Sequence, residues 1–269
     1  MENRNPIGLI DSGIGGFTVL QELQKQLPLE NSVYLGDSKR MPYGELENDM
    51  IIQFANSDIR LLEAQGVKAI LLACNTVSSL MDRLTSNVPL FSIIEAGCLA
   101  TIEQRSSGEV GLIATTATVK NRAYETLLAR YTNKVHYLSQ GTKTLAKVIN
   151  NYPDEKALLK RDICEAIAPI LKVKPVTELL LGCTHFPIVR MMIEEMYPEL
   201  HIINPAIKQV MLLKEYMEKT GIMNDGSIND RVTKICTTGS SEDYCIFEEM
   251  ICQLNIICDD LVQVSLDIE

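Results

Sequence analysis

The chain has 269 residues, 46% of them hydrophobic, and a formal net charge of −10, enough apolar material for one large or two modest cores. The acidic balance argues against a nucleic-acid or anionic-membrane partner. The opening MENRNP is polar and no apolar run approaches the roughly 18 residues of a membrane helix, so a cytoplasmic protein is expected.

In chain order, short apolar runs alternate with longer amphipathic ones. IGLI (7–10) predicts a buried strand, followed by DSGIGG (11–16) and a helix over FTVLQELQKQL (17–27). SVYLG (32–36) predicts a second strand and MIIQFANSDIRLLEAQG (50–66) a helix closed by Gly66. AILLAC (69–74) and PLFSII (89–94) predict two more strands. The order then restarts with VGLIA (110–114), VHYL (135–138), ELLLGC (178–183) and HIIN (201–204). Helical stretches separate them around 119–130, 155–172 and 187–196. A late run, RVTKICTTGSSEDY, predicts a further strand that returns to the first half.

Strands alternating with helices of this length predict an α/β protein with doubly wound parallel sheets. VGLI echoes IGLI, and LLGCTH echoes LLACNT, which predicts two similar domains with a site between them. The first is expected over 1–97 plus 208–269, carrying Asp11 and Cys74. The second is expected over 98–207, carrying Cys183 and His185.

Eight cysteines in a long chain without an export signal predict reduced thiols. There is no C-x-x-C. Cys236, Cys245, Cys252 and Cys258, spaced by nine, seven and six, match no common zinc pattern, and His136, His185 and His201 do not pair with them. Buried apolar cysteines are expected there, and no metal site.

Cys74 and Cys183 stand apart because each ends an apolar strand just before a helix start. For either one alone, a small buried residue is the plain alternative. At such a position, however, unpaired N–H groups and the helix dipole favour thiolate and can bring the pKa from about 8.5 toward neutrality. Asn75, Thr76, Thr184 and His185 add donors for an anionic ligand. Two thiols on facing domains suit inversion of a carbon centre, with a base on one face and an acid on the other. Asp11 and His185 are tuning partners by charge and hydrogen bonding. A redox pair is the competing use of two thiols, ranked lower without a C-x-x-C.

The neighbouring loops each have two readings. DSGIGG lacks the patterns of the dinucleotide and Walker loops. Its glycines allow a tight turn that exposes Asp11 and Ser12, or serve the turn alone. In YLGDSKRMPYG (34–44), Pro42 and Gly44 turn a loop from which Tyr43 and its neighbours can offer backbone donors; an ordinary loop is the alternative. Thr115, Thr116 and Thr118 are helix caps or a carboxylate cradle. Glu95 in IEAG reads as a strand-end carboxylate without an assigned role.

DSGIGG (11–16), GDSKRMPYG (36–44), ACNT (73–76), IEAG (94–97), IATTATVKNRAY (113–124) and GCTHFP (182–187) together resemble the cofactor-independent glutamate racemases of the aspartate/glutamate racemase superfamily. The segments occur in family order, and VTKICTTG resembles the family's last strand, so the likeness spans nearly the whole chain. The resemblance implies that Cys74 and Cys183 are the catalytic thiols, base and acid by turns, with Asp11 assisting Cys74 and His185 assisting Cys183. It implies that Ser12, Tyr43, Gly44, Asn75, Thr76, Thr118 and Thr184, with Asp11 and His185, hold the charged groups of the amino acid. It further implies no cofactor, glutamate as substrate, D-glutamate supply for peptidoglycan, and a homodimer.

Two departures bear on that expectation. Where the family has a cysteine–proline stretch leading to a glutamate, this chain reads TKTLAKVINNYPDE (142–155), placing Asn150 where a carboxylate would face the histidine. An amide cannot make the charge-assisted bond, which leaves Asp154 or Glu155 as substitutes, or a second half that runs with weaker assistance. INPA (203–206) also differs from the family's acidic–serine turn. The alternatives are racemisation of aspartate or another amino acid, and glutamate binding without catalysis.

Overall fold

The computed structural model describes residues 3–151 and 154–265. In chain order its first strands are β1 (Ile7–Asp11), β2 (Ser32–Gly36), β3 (Ala69–Leu72), β4 (Leu90–Ser92) and β5 (Gly108–Thr115). The rest are β6 (Val135–Thr142), β7 (Glu178–Gly182), β8 (His201–Ile203), β9 (Thr233–Thr237) and β10 (Asp260–Gln263). They form two parallel sheets, ordered β10-β9-β2-β1-β3-β4 and β6-β5-β7-β8. The late strand β9 does return to the first sheet, pairing with β2.

The helices follow the βαβ logic. They are α1 (Phe17–Gln26), α2 (Asn48–Ala64), α3 (Asn75–Ser78), α4 (Ile93–Gln104), α5 (Thr116–Lys120) and α6 (Ala123–Tyr131). Then come α7 (Leu145–Asn151), α8 (Lys156–Val173), α9 (Arg190–Met196), α10 (Pro205–Thr220) and α11 (Ser241–Gln253). Gly66 follows α2 at φ +75°, a left-handed stop that suits glycine.

Strand parity sorts the core into layers. Leu9 and Leu71 face one side of the first sheet, while Ile10, Ile70 and Leu72 face the other, against α2. In the second sheet, Leu112 and Leu180 face one way, and Ile113, Leu179 and Leu181 the other, against α8. Leu9, Leu71, Leu112 and Leu180 belong to a single apolar cluster that also takes in Tyr124 of α6 and Ala206, Val210 and Leu213 of α10. One hydrophobic layer therefore serves both sheets. Each fully buried aliphatic side chain in it contributes about 1.5–3 kcal/mol.

The structure corrects several expectations. PLFSII is not one strand: β4 ends at Ser92, whose hydroxyl accepts from Glu95 N and starts α4. Glu95 is thus in the first turn of a helix rather than at a strand end, and its carboxylate accepts the Tyr131 hydroxyl. β3 stops at Leu72, and Cys74 is the N-cap of α3. The helix expected around 119–130 is two helices, broken at Arg122 with φ 49°. The stretch 187–196 begins as a 3-10 turn before α9. All eight cysteines are free, but Cys245 and Cys252 are exposed and Cys258 half-buried, so only Cys236 of the late four is a core thiol.

Candidate active site

In both sheets the order reverses beside the first strand of the half: β2 and β3 flank β1, and β6 and β7 flank β5. Crevices outside the carboxyl ends of strands at such switch points are where open α/β sheets hold ligands. Asp11 ends β1, and Cys74 follows β3 by two residues; Thr115 ends β5, and Cys183 follows β7 directly. The two switch points face each other. Thr184 Oγ1 donates to Asp11 Oδ2 at 3.0 Å, and Thr18 Oγ1 donates to the Thr184 carbonyl at 3.0 Å.

Local backbone explains why the loop after β1 can approach so closely. Asp11 Oδ1 accepts Gly13 N at 3.0 Å, and the Tyr34 hydroxyl donates to Gly13 O at 2.6 Å. A Cβ on Gly15 would lie 2.5 Å from both His185 Nδ1 and Thr184 Oγ1. Only glycine fits there, because the loop packs directly on the second sheet's GCTH segment. The 3-10 turn Tyr43–Glu45 approaches the end of β5: a Cβ on Gly44 would sit 3.8 Å from Thr115 Oγ1.

Both thiols are buried. Cys74 Sγ lies 3.8 Å from Ser12 Oγ, and Cys183 Sγ lies 3.9 Å from His185 Nδ1. Burial, with the Asp11 charge adding to it, pushes the Cys74 thiol up to about 11. Burial pushes the Cys183 thiol up as well, and the Asp11 and Cys74 charges act in the same direction. This reverses the expected lowering by helix N-termini. The four-residue α3 supplies little dipole, and desolvation with a neighbouring carboxylate outweighs it.

Asp11 is raised by burial, opposed by the His185 charge and by bonds from Gly13, Thr184 and Gly16. His185 is lowered by burial and raised by Asp11. The carboxylate whose charge acts on the histidine is Asp11, from the other sheet. Asn150 lies on α7, where its Nδ2 donates to Asn151 Oδ1 at 2.7 Å beside a recess lined by Gly13 and Met41. Asp154 and Glu155 are exposed.

The remaining expected residues lie in the loops and first helical turns that follow strands β1, β2, β3 and β5. Asn75, Thr76 and Thr118 are buried; Ser12 and Gly44 are half-buried. Thr118 Oγ1 pairs with Thr115 Oγ1 at 3.0 Å. The Tyr43 side chain turns inward, its hydroxyl donating to Asp37 and, at 3.4 Å, to Asp58, so only its backbone is left for a ligand.

Sequence reasoning missed the group behind Tyr43. Asp37 and Asp58 are both fully buried, with Arg40 Nη1 3.3 Å from Asp37 and 3.9 Å from Asp58. Arg40 also stacks on Phe54, 4.4 Å from the ring centre, and Thr238 Oγ1 donates to Asp37 at 2.6 Å. Asp58 was legible: it interrupts the apolar stripe Ile51, Phe54, Ala55, Ile59 and Leu62 of α2.

Residues 21–212 match the Asp/Glu/Hydantoin racemase family. The chain belongs to that family. Family membership agrees with the relatives found. The glutamate racemase of Lactococcus lactis subsp. cremoris (strain SK11) is 34% identical over 225 residues, covering 81% of this chain and 82% of its own length. The crystal structure of glutamate racemase isoform RacE1 from Bacillus anthracis superposes with a TM-score of 0.90 at 28% identity, covering all of both chains. That of glutamate racemase from Francisella tularensis subsp. tularensis SCHU S4, in complex with D-glutamate, superposes with a TM-score of 0.87 at 27% identity, covering 98% of this chain and 99% of that one.

Proposed function

We propose that this racemase-family chain interconverts L- and D-glutamate without a cofactor, using Cys74 and Cys183 as the two proton-transfer groups. The observation that carries the reading is two thiols at facing switch points, joined by the Asp11–Thr184 bond. In one direction the Cys74 thiolate takes the α-proton, and the Cys183 thiol returns a proton to the opposite face of the planar carbanion. In the other direction the roles exchange, and each turnover leaves one thiol and one thiolate.

Thiols with raised pKa values make strong bases once ionised. A substrate ammonium placed between the sulfurs would favour that ionisation by its charge. Asp11 assists Cys74, while His185 assists Cys183. Ser12, Asn75, Thr76, Thr118 and Thr184, with the backbone of Tyr43 and Gly44, surround the carboxylates and ammonium.

The reading extends to a division of the chain into 1–97 plus 208–269 and 98–207. It also includes a homodimer, a cytoplasmic location and supply of D-glutamate to peptidoglycan. Among the described residues, no helix is long and apolar enough to cross a membrane.

The test is proton exchange. Purified protein with no added cofactor should wash deuterium from solvent into the α-position of L-glutamate and produce D-glutamate. Exchange with aspartate and not glutamate would move the substrate; binding without exchange of either would remove catalysis.

A further inference from the structure

Asn75 has one end of its amide tied and the other without a partner. Its Oδ1 accepts the Tyr124 hydroxyl at 2.7 Å. Its Nδ2 has no hydrogen-bond partner among the described residues, although Asn75 is only 3% exposed. A buried donor left unmade costs about 1–3 kcal/mol. The residue directly follows Cys74 and opens α3, so an acceptor supplied by a ligand accounts for it.

The tie joins elements that follow different sheets. Tyr124 stands on α6, behind the β5 loop of the second sheet, and Asn75 stands behind β3 of the first. The tyrosine ring is fully buried and packs edge-on against Tyr137, with centroids 5.7 Å apart. It also lies over Gly97 of α4, where a Cβ would come within 2.8 Å of Cε1 and 3.3 Å of the hydroxyl. Gly97 makes room for the ring. Two motif residues without a role, Gly97 in IEAG and Tyr124 in NRAY, thus meet at one amide.

We propose that Tyr124 is a positioning residue: its hydroxyl locks the Asn75 amide so that Nδ2 faces the cleft and donates to a carboxylate of the bound amino acid, and Gly97 supplies the space the ring needs. The inference rests on the racemase reading and deepens it.

The chemistry is directional. A phenol that keeps its proton donates, and burial holds Tyr124 well above the usual phenol range. The amide oxygen must then face the phenol and the nitrogen must face away. Without the phenol, the amide can turn and present Oδ1, which a carboxylate repels. A charge-assisted bond to Nδ2 is lost with it. The effect belongs to substrate binding, since neither proton-transfer group moves.

The experiment is steady-state kinetics on L- and D-glutamate, with calorimetric glutamate affinity, for Tyr124→Phe, Gly97→Ala and the double variant. Tyr124→Phe should raise KM about tenfold in both directions, equivalent to about 1.4 kcal/mol, with kcat within about twofold. Gly97→Ala displaces the ring and should do the same. Because both act through one hydroxyl, the double variant should be no worse than the poorer single. An unmoved KM and affinity, a fall in kcat alone, or single effects that multiply would each overturn the inference. If the wild type binds glutamate without racemising it, the racemase reading fails, and the affinity series still decides the role of Tyr124.

Discussion

Thr184 and Asp11 are 173 residues apart in sequence, yet the threonine hydroxyl reaches the aspartate carboxylate at 3.0 Å. The bond links the ends of β7 and β1, one from each sheet. It also places the same carboxylate within the electrostatic reach of Cys74, Cys183 and His185.

Thr184→Val should therefore weaken the folded state by about 1–3 kcal/mol, because Asp11 keeps its burial and loses a donor. Thr184→Ser, which restores the hydroxyl, should recover most of that loss. Chemical denaturation of the three proteins checks it; equal midpoints would show that the bond does nothing for stability.

Gly15→Ala introduces a methyl 2.5 Å from the His185 ring and the Thr184 hydroxyl. The loop must move off the second sheet, misplacing Asp11 and its neighbours. A displacement of that order costs about 10²-fold in racemisation, while far-UV circular dichroism should stay unchanged. Wild-type turnover in the variant would show that the close approach does not matter to the site.

Cys74→Ser and Cys183→Ser should each lower racemisation by about 10²–10⁴-fold or more, with melting temperatures near wild type at neutral pH. Cys74 adds an alkaline signature. Its thiol is raised in the folded protein from 9.0 to about 11, so the stability it contributes is complete below pH 9 and is lost as pH rises toward 11. Melting curves across that window should fall less steeply for Cys74→Ser than for wild type. Parallel curves would contradict a buried, neutral thiol.

Asp58 offers a second test of sign. Burial, then the Asp37 charge, raises its carboxyl well above the ordinary 3.8, with Arg40 and Tyr43 opposing. Its contribution to stability is full below pH 3.8 and is lost as pH rises through the folded value. Asp58→Asn, a neutral group of the same shape, should therefore gain in melting temperature relative to wild type as pH rises through that range. A variant that becomes less stable at neutral pH would show that the Arg40 pairing dominates.

The sequence carried the parallel strands and the converging loops because both rest on short-range signals: buried apolar runs, and glycine, proline and hydroxyl clusters at their ends. It misled where burial was complete. Helix α4 is apolar on nearly every side, with Ile93, Ile94, Ala96, Gly97, Cys98 and Ala100 all buried, so no stripe separated it from the preceding strand. Its start was nevertheless written in Ser92 and Glu95, three residues apart. INPA, which differs from the family's acidic–serine turn, is a helix start, with Asn204 capping Ala206 N and Pro205 in the first turn. The thiol pKa direction was not legible, since desolvation depends on what the fold stacks over the sulfur. Nor was the bond from Thr184 to Asp11, because it forms only through the facing of two sheets.

The apolar layer shared by the two sheets has a mechanical consequence. Prising the halves apart would strip cover from Tyr124, Ile203, Val210 and Leu213 at once. A wide clamshell gape is thus costly in this molecule.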